Sequence, residues 1–298
     1  MKGTIVMSDE KEFLKNYNME KYERPSVAAD IAVFTAADVP DDNYRKLAEK
    51  SLKLLMIRRG RPPFEGFYAL PGGFAMKNED LDETAARELF EETGVKDIDL
   101  SQLKTTSTPQ RDPRGWIISA AYIALVDSSR LEVRYGDDAA DAGWFDVSFY
   151  EKEHNVTSSA DGSSCSETVF RLELRSGDVL LTAEVSVKKT AKISGRSCSI
   201  KVISSEGIAF DHAEIIVYAI LELRRRTAEE GAAFNLLPEK FTMTDLQRVY
   251  EIIMGTKETD ANFRRKMSGF VKNTDEMAQG GGHRPSKLYV RNMEAFLK

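Results

Sequence analysis

Cysteine is nearly missing from this sequence: 298 residues contain two, Cys165 and Cys198. So low a count excludes a disulfide-built scaffold, and the wide separation fits no zinc or CxxC spacing. Two free thiols in a reducing compartment are expected. Long apolar runs are absent as well. None approaches the roughly 20 residues that cross a bilayer. Met1 to Glu20 is polar, with no apolar stretch to act as a signal peptide. The expectation is a cytoplasmic protein without membrane contact. No internal repeat stands out, and there is no overall basic excess. The formal net charge is −6, with 42 Lys and Arg against 48 Asp and Glu. This balance excludes a chain coated throughout in nucleic-acid-binding surface, though one local basic module remains possible.

What is present is ordinary globular material. The chain is 42% hydrophobic and 30% charged, with enough length for two domains. One stretch organises it, Gly73 to Val95, GFAMKNEDLDETAARELFEETGV. Glu79, Asp80 and Asp82 lead into Glu83, Glu88, Glu91 and Glu92. On a helix, Glu88, Glu91 and Glu92 stand at i, i+3 and i+4 and share one side. Like charges packed this closely ask for a cation, and hard divalent ions take oxygen ligands. Asp80-Leu81-Asp82-Glu83 has the form of a capping box, with Asp80 as N-cap. Leu81, Ala85, Ala86, Leu89 and Phe90 give an apolar face, and Gly94 is placed to end the helix in a left-handed conformation. A solvated outer face is the usual meaning of a helical charge run. Three stacked carboxylates with only Arg87 adjacent make that meaning weak here.

Strands are expected on both sides of this helix. Ser26 to Thr35 and Leu52 to Arg58 precede it, the second ending in Arg58 and Arg59. Gly60 to Gly73 is a loop rich in Gly and Pro, with Phe67 to Leu70 briefly extended. Leu103 to Pro109 and Trp116 to Val126 follow, joined by the charged turn Gln110-Arg111-Asp112-Pro113-Arg114-Gly115. Leu131 to Val133 and Ala142 to Asp146 add short strands around Gly136-Asp137-Asp138. The pattern is α+β with a mixed sheet. His154 to Ser166 is Ser-rich and predicts a flexible loop. Thr168 to Leu174, Val179 to Lys188 and Ser199 to Ser204 then alternate as a β-meander, with a hairpin turn at Ser176-Gly177-Asp178. Inserted at about 155–207, it is too short to hold a core of its own. A first domain over 1–226 and a second over 227–298 are expected.

Phe210 to Arg226 has helical periodicity and ends in three arginines that suit a helix C-terminus. Beyond it, Phe241 to Met254 predicts an N-capped helix starting near Thr244, with Leu246, Val249, Tyr250 and Ile253 inward. Asp260 to Met267 is a second helix, and Lys287 to Val290 is a strand after the turn Gly280-Gly281-Gly282. Two helices and a turn-and-strand outline a winged helix-turn-helix. Lys257 to Lys298 carries nine Lys or Arg and five Asp or Glu, so this end is +4 and the remainder −10. Arg264, Arg265 and Lys266 on the candidate recognition helix and Lys287 on the wing are the candidate DNA contacts. A small basic surface that binds no DNA is the alternative.

Gly73, Glu79, Arg87-Glu88-Leu89, Phe90, Glu91-Glu92, Thr93 and Gly94-Val95, at these fixed gaps, resemble the Nudix box at every specified position. The resemblance implies an α/β/α Nudix sandwich that cleaves a nucleoside diphosphate linked to another moiety. It also implies Mg²⁺ or Mn²⁺ held by Glu88, Glu91 and Glu92 and a carbonyl near Gly73. Glu79 and Arg87 are cast as supporting residues in catalysis, with Glu91 both ligand and catalytic group. Tyr22, Arg24-Pro25-Ser26, Asp30, Arg111 to Gly115 and Phe210-Asp211-His212 resemble the ADP-ribose branch. Leu237-Pro238-Glu239, Phe241 to Tyr250 and Asn262 to Lys266 resemble the winged helix of Nudix-related regulators of NAD metabolism. Proteins of this branch are usually homodimers. The meander departs from the pattern.

Two functions therefore stand side by side. One is Mg²⁺-dependent hydrolysis of ADP-ribose or a related nucleoside diphosphate sugar to AMP and a sugar phosphate. The alternative is an ADP-ribose-responsive regulator that binds operator DNA. Arg58, Arg59, Gly72, Arg111 and Arg114 are candidate substrate contacts. Arg111 and Arg114 could equally form salt bridges with Asp112 and the acidic turn near Asp137. Tyr22 and Trp116 could stack on adenine, with core packing the preferred reading for Trp116. His212 is expected to be an ordinary hydrogen-bonded histidine. Glu151, Glu153, Asp138 or a box glutamate is eligible as general base.

Overall fold

The computed structural model describes residues 7–39, 49–94, 96, 98–130, 139–159, 162–278 and 285–296. A short helix, α1 (Met7–Asn16), precedes the body. The body is one mixed sheet. Its strands are β1 (Ser26–Asp38), β2 (Lys50–Arg59), β3 (Tyr68–Ala69), β4 (Gly72–Phe74), β5 (Asp99–Thr106), β6 (Ile117–Asp127), β7 (Ala139–Ser158), β8 (Ser164–Ser176), β9 (Val179–Lys192) and β10 (Gly195–Glu206). The spatial order is β10-β9-β8-β7-β2-β1-β6-β5, with β3 beside β2 and β4 beside β1. β1 and β6 run parallel, and β2 and β7 lie antiparallel beyond them.

Alternation along β1 divides the core between two faces. Ala29, Ile31 and Val33 point to α2 (Leu81–Thr93), where Ala85 and Leu89 close over them. Ala32, Phe34 and Ala36 point the other way, towards α3 (His212–Glu229) and its row Ala213, Ile216, Ala219, Ile220 and Leu223. The expected capping box is present: Asp80 accepts from the Glu83 N–H at 2.8 Å, and Glu83 accepts from the Asp80 N–H at 3.0 Å. Gly94 ends the helix at φ 70°.

The C-terminal unit comprises β11 (Phe241–Thr242), α4 (Met243–Met254), α5 (Asp260–Met267), β12 (Val271–Met277) and β13 (Lys287–Arg291), with strand order β11-β13-β12. Thr242, rather than Thr244, caps α4, through a reciprocal box with Asp245. β12 was not expected, because a polar strand such as VKNTDEM has no alternation to reveal it. The two units share a core. Leu246, Val249 and Ile253 of α4 belong to the same buried cluster as Ile220 of α3 and Leu54 of β2.

The meander adds to the edge of the main sheet. Its strands are longer than alternation suggested, and the Ser-rich stretch 154–166 is largely ladder rather than loop: Asn155 pairs with Glu167 and Thr157 with Cys165. None of the described serines there is buried, and cross-strand pairing overrides serine's turn preference. Both cysteines are free. The expected strand Leu131 to Val133, the turn with Asp137 and Asp138, and the turn Gly280 to Gly282 lie outside the described residues. Among the described residues no helix is long and apolar enough to cross a membrane.

Candidate functional site

The acidic helix meets a cluster of arginines across a cleft of about 830 Å³. On the acidic side Arg87 acts as a clamp. Its Nε and Nη2 donate to Glu79 at 2.8 and 3.1 Å, and its Nη1 donates to Glu88 at 2.7 Å and to Glu91 at 3.3 Å. Nη2 also reaches the Phe74 carbonyl at 3.2 Å, tying β4 to α2. The hydrogen bonds from Arg87 hold the Glu79 carboxyl down to about 2. Glu79 therefore stays ionised and holds the arginine that also contacts Glu88 and Glu91.

Glycine lies beneath these groups at two positions. A Cβ on Gly73 would fall 2.1 Å from Glu88 Oε1, so the carboxylate rests directly on the backbone. A Cβ on Gly72, at φ +154°, would lie 2.2 Å from the Ala29 carbonyl. Burial pushes the Glu88 carboxyl up, against the pull of Arg87. Burial, with the Glu88 charge next in effect, raises Glu92 to about 8 despite a backbone hydrogen bond from Gly72. Glu92 Oε2 is buried without a hydrogen-bond partner.

Among the described residues no three acidic, histidine or cysteine side chains already surround a common point close enough to hold an ion. The donor set nevertheless fits a divalent cation. Glu88, Glu91 and Glu92 all line the cleft, one oxygen is orphaned, and their mutual repulsion is what such an ion relieves.

The basic side differs from expectation in three places. Arg59 lines the cleft but Arg58 does not, because adjacent strand residues face opposite ways. Arg61, in the loop just after β2, lines it as well, and no periodicity in the sequence marked it. Arg111 is an internal brace rather than an open fork. It donates to Asp211 at 2.7 and 2.8 Å and to Asp30 at 3.2 Å, with its side chain 5% exposed. Arg114 pairs with Asp112 at 2.7 Å, as one reading foresaw, and its guanidinium lies 5.1 Å from the Phe74 ring and 5.5 Å from Phe210. Phe210, at φ 54°, also carries Arg59 at 4.8 Å. The sequence drew attention to Phe210 without revealing its place as a platform between two arginines. Trp116, expected in the core, is 55% exposed, and Tyr22 is 58% exposed. Glu151 and Glu153 are exposed on β7 and line no part of the cleft.

His212 opens α3 and is buried. Its Nδ1 accepts the Leu70 N–H at 2.8 Å, and its Nε2 lies 3.6 Å from Asp30. Burial holds its pKa below the ordinary value, against the raising effect of Asp30 and Asp211. The unfolded chain therefore takes up a proton near pH 6.5 that the folded one refuses, and stability falls as pH drops below about 6.5. His212→Asn keeps an acceptor for Leu70 and removes the titration. Melting temperature should fall more steeply in wild type than in this variant between about pH 7 and pH 5. Parallel curves would dismiss the assignment.

In the C-terminal unit Phe263 and Met267 anchor α5, leaving Arg264 and Arg265 exposed. Lys287 is exposed at the start of β13. Lys266 is exposed as well, but its Nζ is already engaged, bonded to the Tyr250 hydroxyl and to Glu258 at 3.1 Å.

Comparison with known proteins bears on both units. Residues 45–161 match the NUDIX domain and residues 233–290 match the NrtR DNA-binding winged helix domain. An ADP-ribose pyrophosphatase of Methanocaldococcus jannaschii is 37% identical over 140 residues, 46% of this chain and 73% of that protein. The chain belongs to the Nudix family. Its Nudix domain carries a C-terminal winged helix. An ADPR responsive transcriptional repressor NtrR of Acinetobacter baylyi is 27% identical over 96% of this chain and 89% of the repressor. A MutT/nudix family protein from Enterococcus faecalis superposes with a TM-score of 0.68 at 25% identity, covering 97% of this chain and 94% of the other. Both of these likenesses run across the two units of this Nudix protein.

Proposed function

We propose that this Nudix protein is a DNA-binding regulator whose cleft takes ADP-ribose or a related nucleoside diphosphate sugar. The observation that carries the proposal is the continuity of core from the cleft to the winged helix. α3 begins in the cleft at His212. Near its other end Arg224 donates to the Ile253 carbonyl of α4 at 2.9 Å. The full-length likeness to an ADPR-responsive repressor supports the same reading. In this scheme Arg59, Arg61 and Arg114 face the ligand's phosphates, and Phe210 and Phe74 keep the arginines in place. Arg264, Arg265 and Lys287 meet DNA phosphates. The homodimer expected for this branch would pair two such wings on one operator, with two half-sites.

The test is binding of a labelled duplex from the chain's own upstream region, measured with and without ADP-ribose. Salt-sensitive binding that ADP-ribose changes supports the reading. Binding indifferent to ADP-ribose, or unaffected by Arg264→Ala with Arg265→Ala, removes it.

A second reading, hydrolysis, is favoured by the complete acidic set and the orphaned oxygen of Glu92. Glu88, Glu91 and Glu92 would hold Mg²⁺ or Mn²⁺, with a carbonyl of the Gly73 region. Such an ion neutralises pyrophosphate charge and lowers the pKa of bound water. The chain's own part is positional. Arg87 and Glu79 fix the carboxylates, while Arg59 and Arg114 orient the phosphates. Both readings are compatible in one molecule, since a regulator that slowly consumes its effector would reset itself.

A further inference from the structure

One strongly charged surface has no part in the cleft or in α5. Between Glu184 and Glu206 the chain carries Lys188, Lys189, Lys192, Arg196 and Lys201 and not one acidic residue. All five are exposed, and among the described residues none is held by a hydrogen bond or ion pair. We propose that the distal part of β9 and β10 is a second DNA-backbone contact, an arm that grips phosphates next to those met by α5. The proposal rests on the DNA-binding reading above.

Strand register sets how the charges are displayed. Lys188 pairs with Ser199, Lys192 with Gly195 and Lys201 with Ser186, so these three lysines share one face. Lys189 pairs with Cys198 and Arg196 with Ala191, on the opposite face. Cations therefore project from both sides of the hairpin, which suits insertion between two phosphate-lined walls. Lysines on an edge strand commonly serve only to block pairing with another sheet. That accounts poorly for this set, because Lys188, Lys189 and Lys192 lie on β9, which is covered by β8 on one side and β10 on the other. Nor do the cations serve folding. At the hairpin turn Ile193 is 98% exposed, and every residue from Lys188 to Ser199 except Thr190 is exposed.

Position argues for DNA over other polyanions. Arg224 donates to the Phe149 carbonyl at 3.1 Å and to the Ile253 carbonyl at 2.9 Å. One guanidinium thus joins the root of the arm to the last turn of α4. From Phe149, β7 runs on to Ser158, about 30 Å at the rise of an extended strand. β9 and β10 extend with it, through the pairing of Ser164 with both Ser158 and Ala191. α5 starts at Asp260, shortly after α4 ends at Met254. The root of the arm and the end of α4, from which the chain leads into α5, therefore meet at one junction, and the proposal sets the arm beside the duplex that α5 contacts.

The experiment is fluorescence anisotropy of the full chain on a labelled random-sequence duplex of about 40 base pairs, titrated at several KCl concentrations from about 50 to 200 mM. Four proteins are compared: wild type, the five-fold arm variant (Lys188, Lys189, Lys192, Arg196 and Lys201 each →Gln), a charge-keeping variant with the four lysines →Arg, and Arg264→Ala with Arg265→Ala. Each phosphate that the protein no longer neutralises should lower the slope of log K against log salt by about 0.9. The arm variant is expected to neutralise at least two fewer phosphates and to bind tenfold or more weakly at about 100 mM, with the charge-keeping variant unchanged. ADP-ribose binding should be equal in all four. If the five-fold variant does not fold, Lys192→Gln with Arg196→Gln at the exposed tip replaces it, with the slope expected to fall by about one phosphate's worth.

An arm variant with wild-type slope and affinity overturns the arm, and it leaves the regulator reading intact if Arg264→Ala with Arg265→Ala abolishes binding. Weakening confined to the arm variant removes α5 from the interface, and with it both the regulator reading and an arm placed beside α5. Wild type that binds no duplex sinks both. A drop in sedimentation coefficient of the arm variant without a change in slope would reassign the arm to association between copies of this chain.

Discussion

Replacing Arg111 with alanine is expected to cost about 3–5 kcal/mol of folding stability, because one side chain neutralises two carboxylates in a nearly closed space. Its guanidinium bonds Asp211 at 2.7 and 2.8 Å and Asp30 at 3.2 Å. Asp30 is otherwise met by the Ser119 hydroxyl at 2.6 Å and by a histidine that burial keeps uncharged. Truncation leaves two like charges facing each other without an ion between them. Urea unfolding should show the loss. Adding Asp30→Asn and Asp211→Asn to Arg111→Ala should recover part of it, since the uncompensated charges rather than the missing hydrogen bonds dominate. Arg111→Lys, a point charge without the fork, should fall between wild type and alanine. A loss below about 1 kcal/mol for Arg111→Ala would mean that the brace is relaxed by solvent.

The second large effect is expected at Glu92. Glu92→Gln should lower Mg²⁺-dependent release of AMP from ADP-ribose by at least about a hundredfold, by removing an anionic ligand while keeping side-chain shape. It should not unfold the protein. Burial already pushes this carboxyl up to about 8, so the neutral isostere resembles the form that the metal-free site prefers. The readout that separates ligation from packing is thermal. Mg²⁺ or Mn²⁺ should raise the melting temperature of wild type and leave that of Glu92→Gln unmoved. Equal metal stabilisation in both proteins would remove Glu92 from the ligand set. If wild type turns over neither ADP-ribose nor a panel of nucleoside diphosphate sugars, hydrolysis fails as a reading, and the thermal comparison still reports on the ligands.

The acidic helix was legible because its signals are local. A capping box, an apolar face, a carboxylate triplet and a terminal glycine all lie within one short span, and each implies the others. The winged helix was legible for the same reason, although its polar strand β12 was not. The arginines of the cleft were half legible. Composition nominated Arg58, Arg59, Arg111 and Arg114, but which of them face a ligand depends on partners distant in sequence. Asp211 lies a hundred residues from Arg111 and takes its fork. Arg58 is removed by strand parity alone. Trp116 shows the converse, since a large aromatic suggests a core position and only the fold reveals that it borders strand β1 at the surface, where its carbonyl accepts the Ser26 N–H at 3.0 Å. The Ser-rich stretch 154–166 misled because side-chain preference is weak evidence against a long ladder whose other strands are already in place.

The core that passes unbroken from β2 through α3 to α4 restricts how this protein can be divided. Cutting the chain after Arg226 would strip cover from Phe34, Leu54 and Ile220 and expose the inner faces of Leu246, Val249 and Ile253, all buried together in the intact molecule. Neither fragment would inherit a finished surface, so the C-terminal unit is part of what keeps the cleft folded. A protease working between the units would therefore leave neither of them with a complete core.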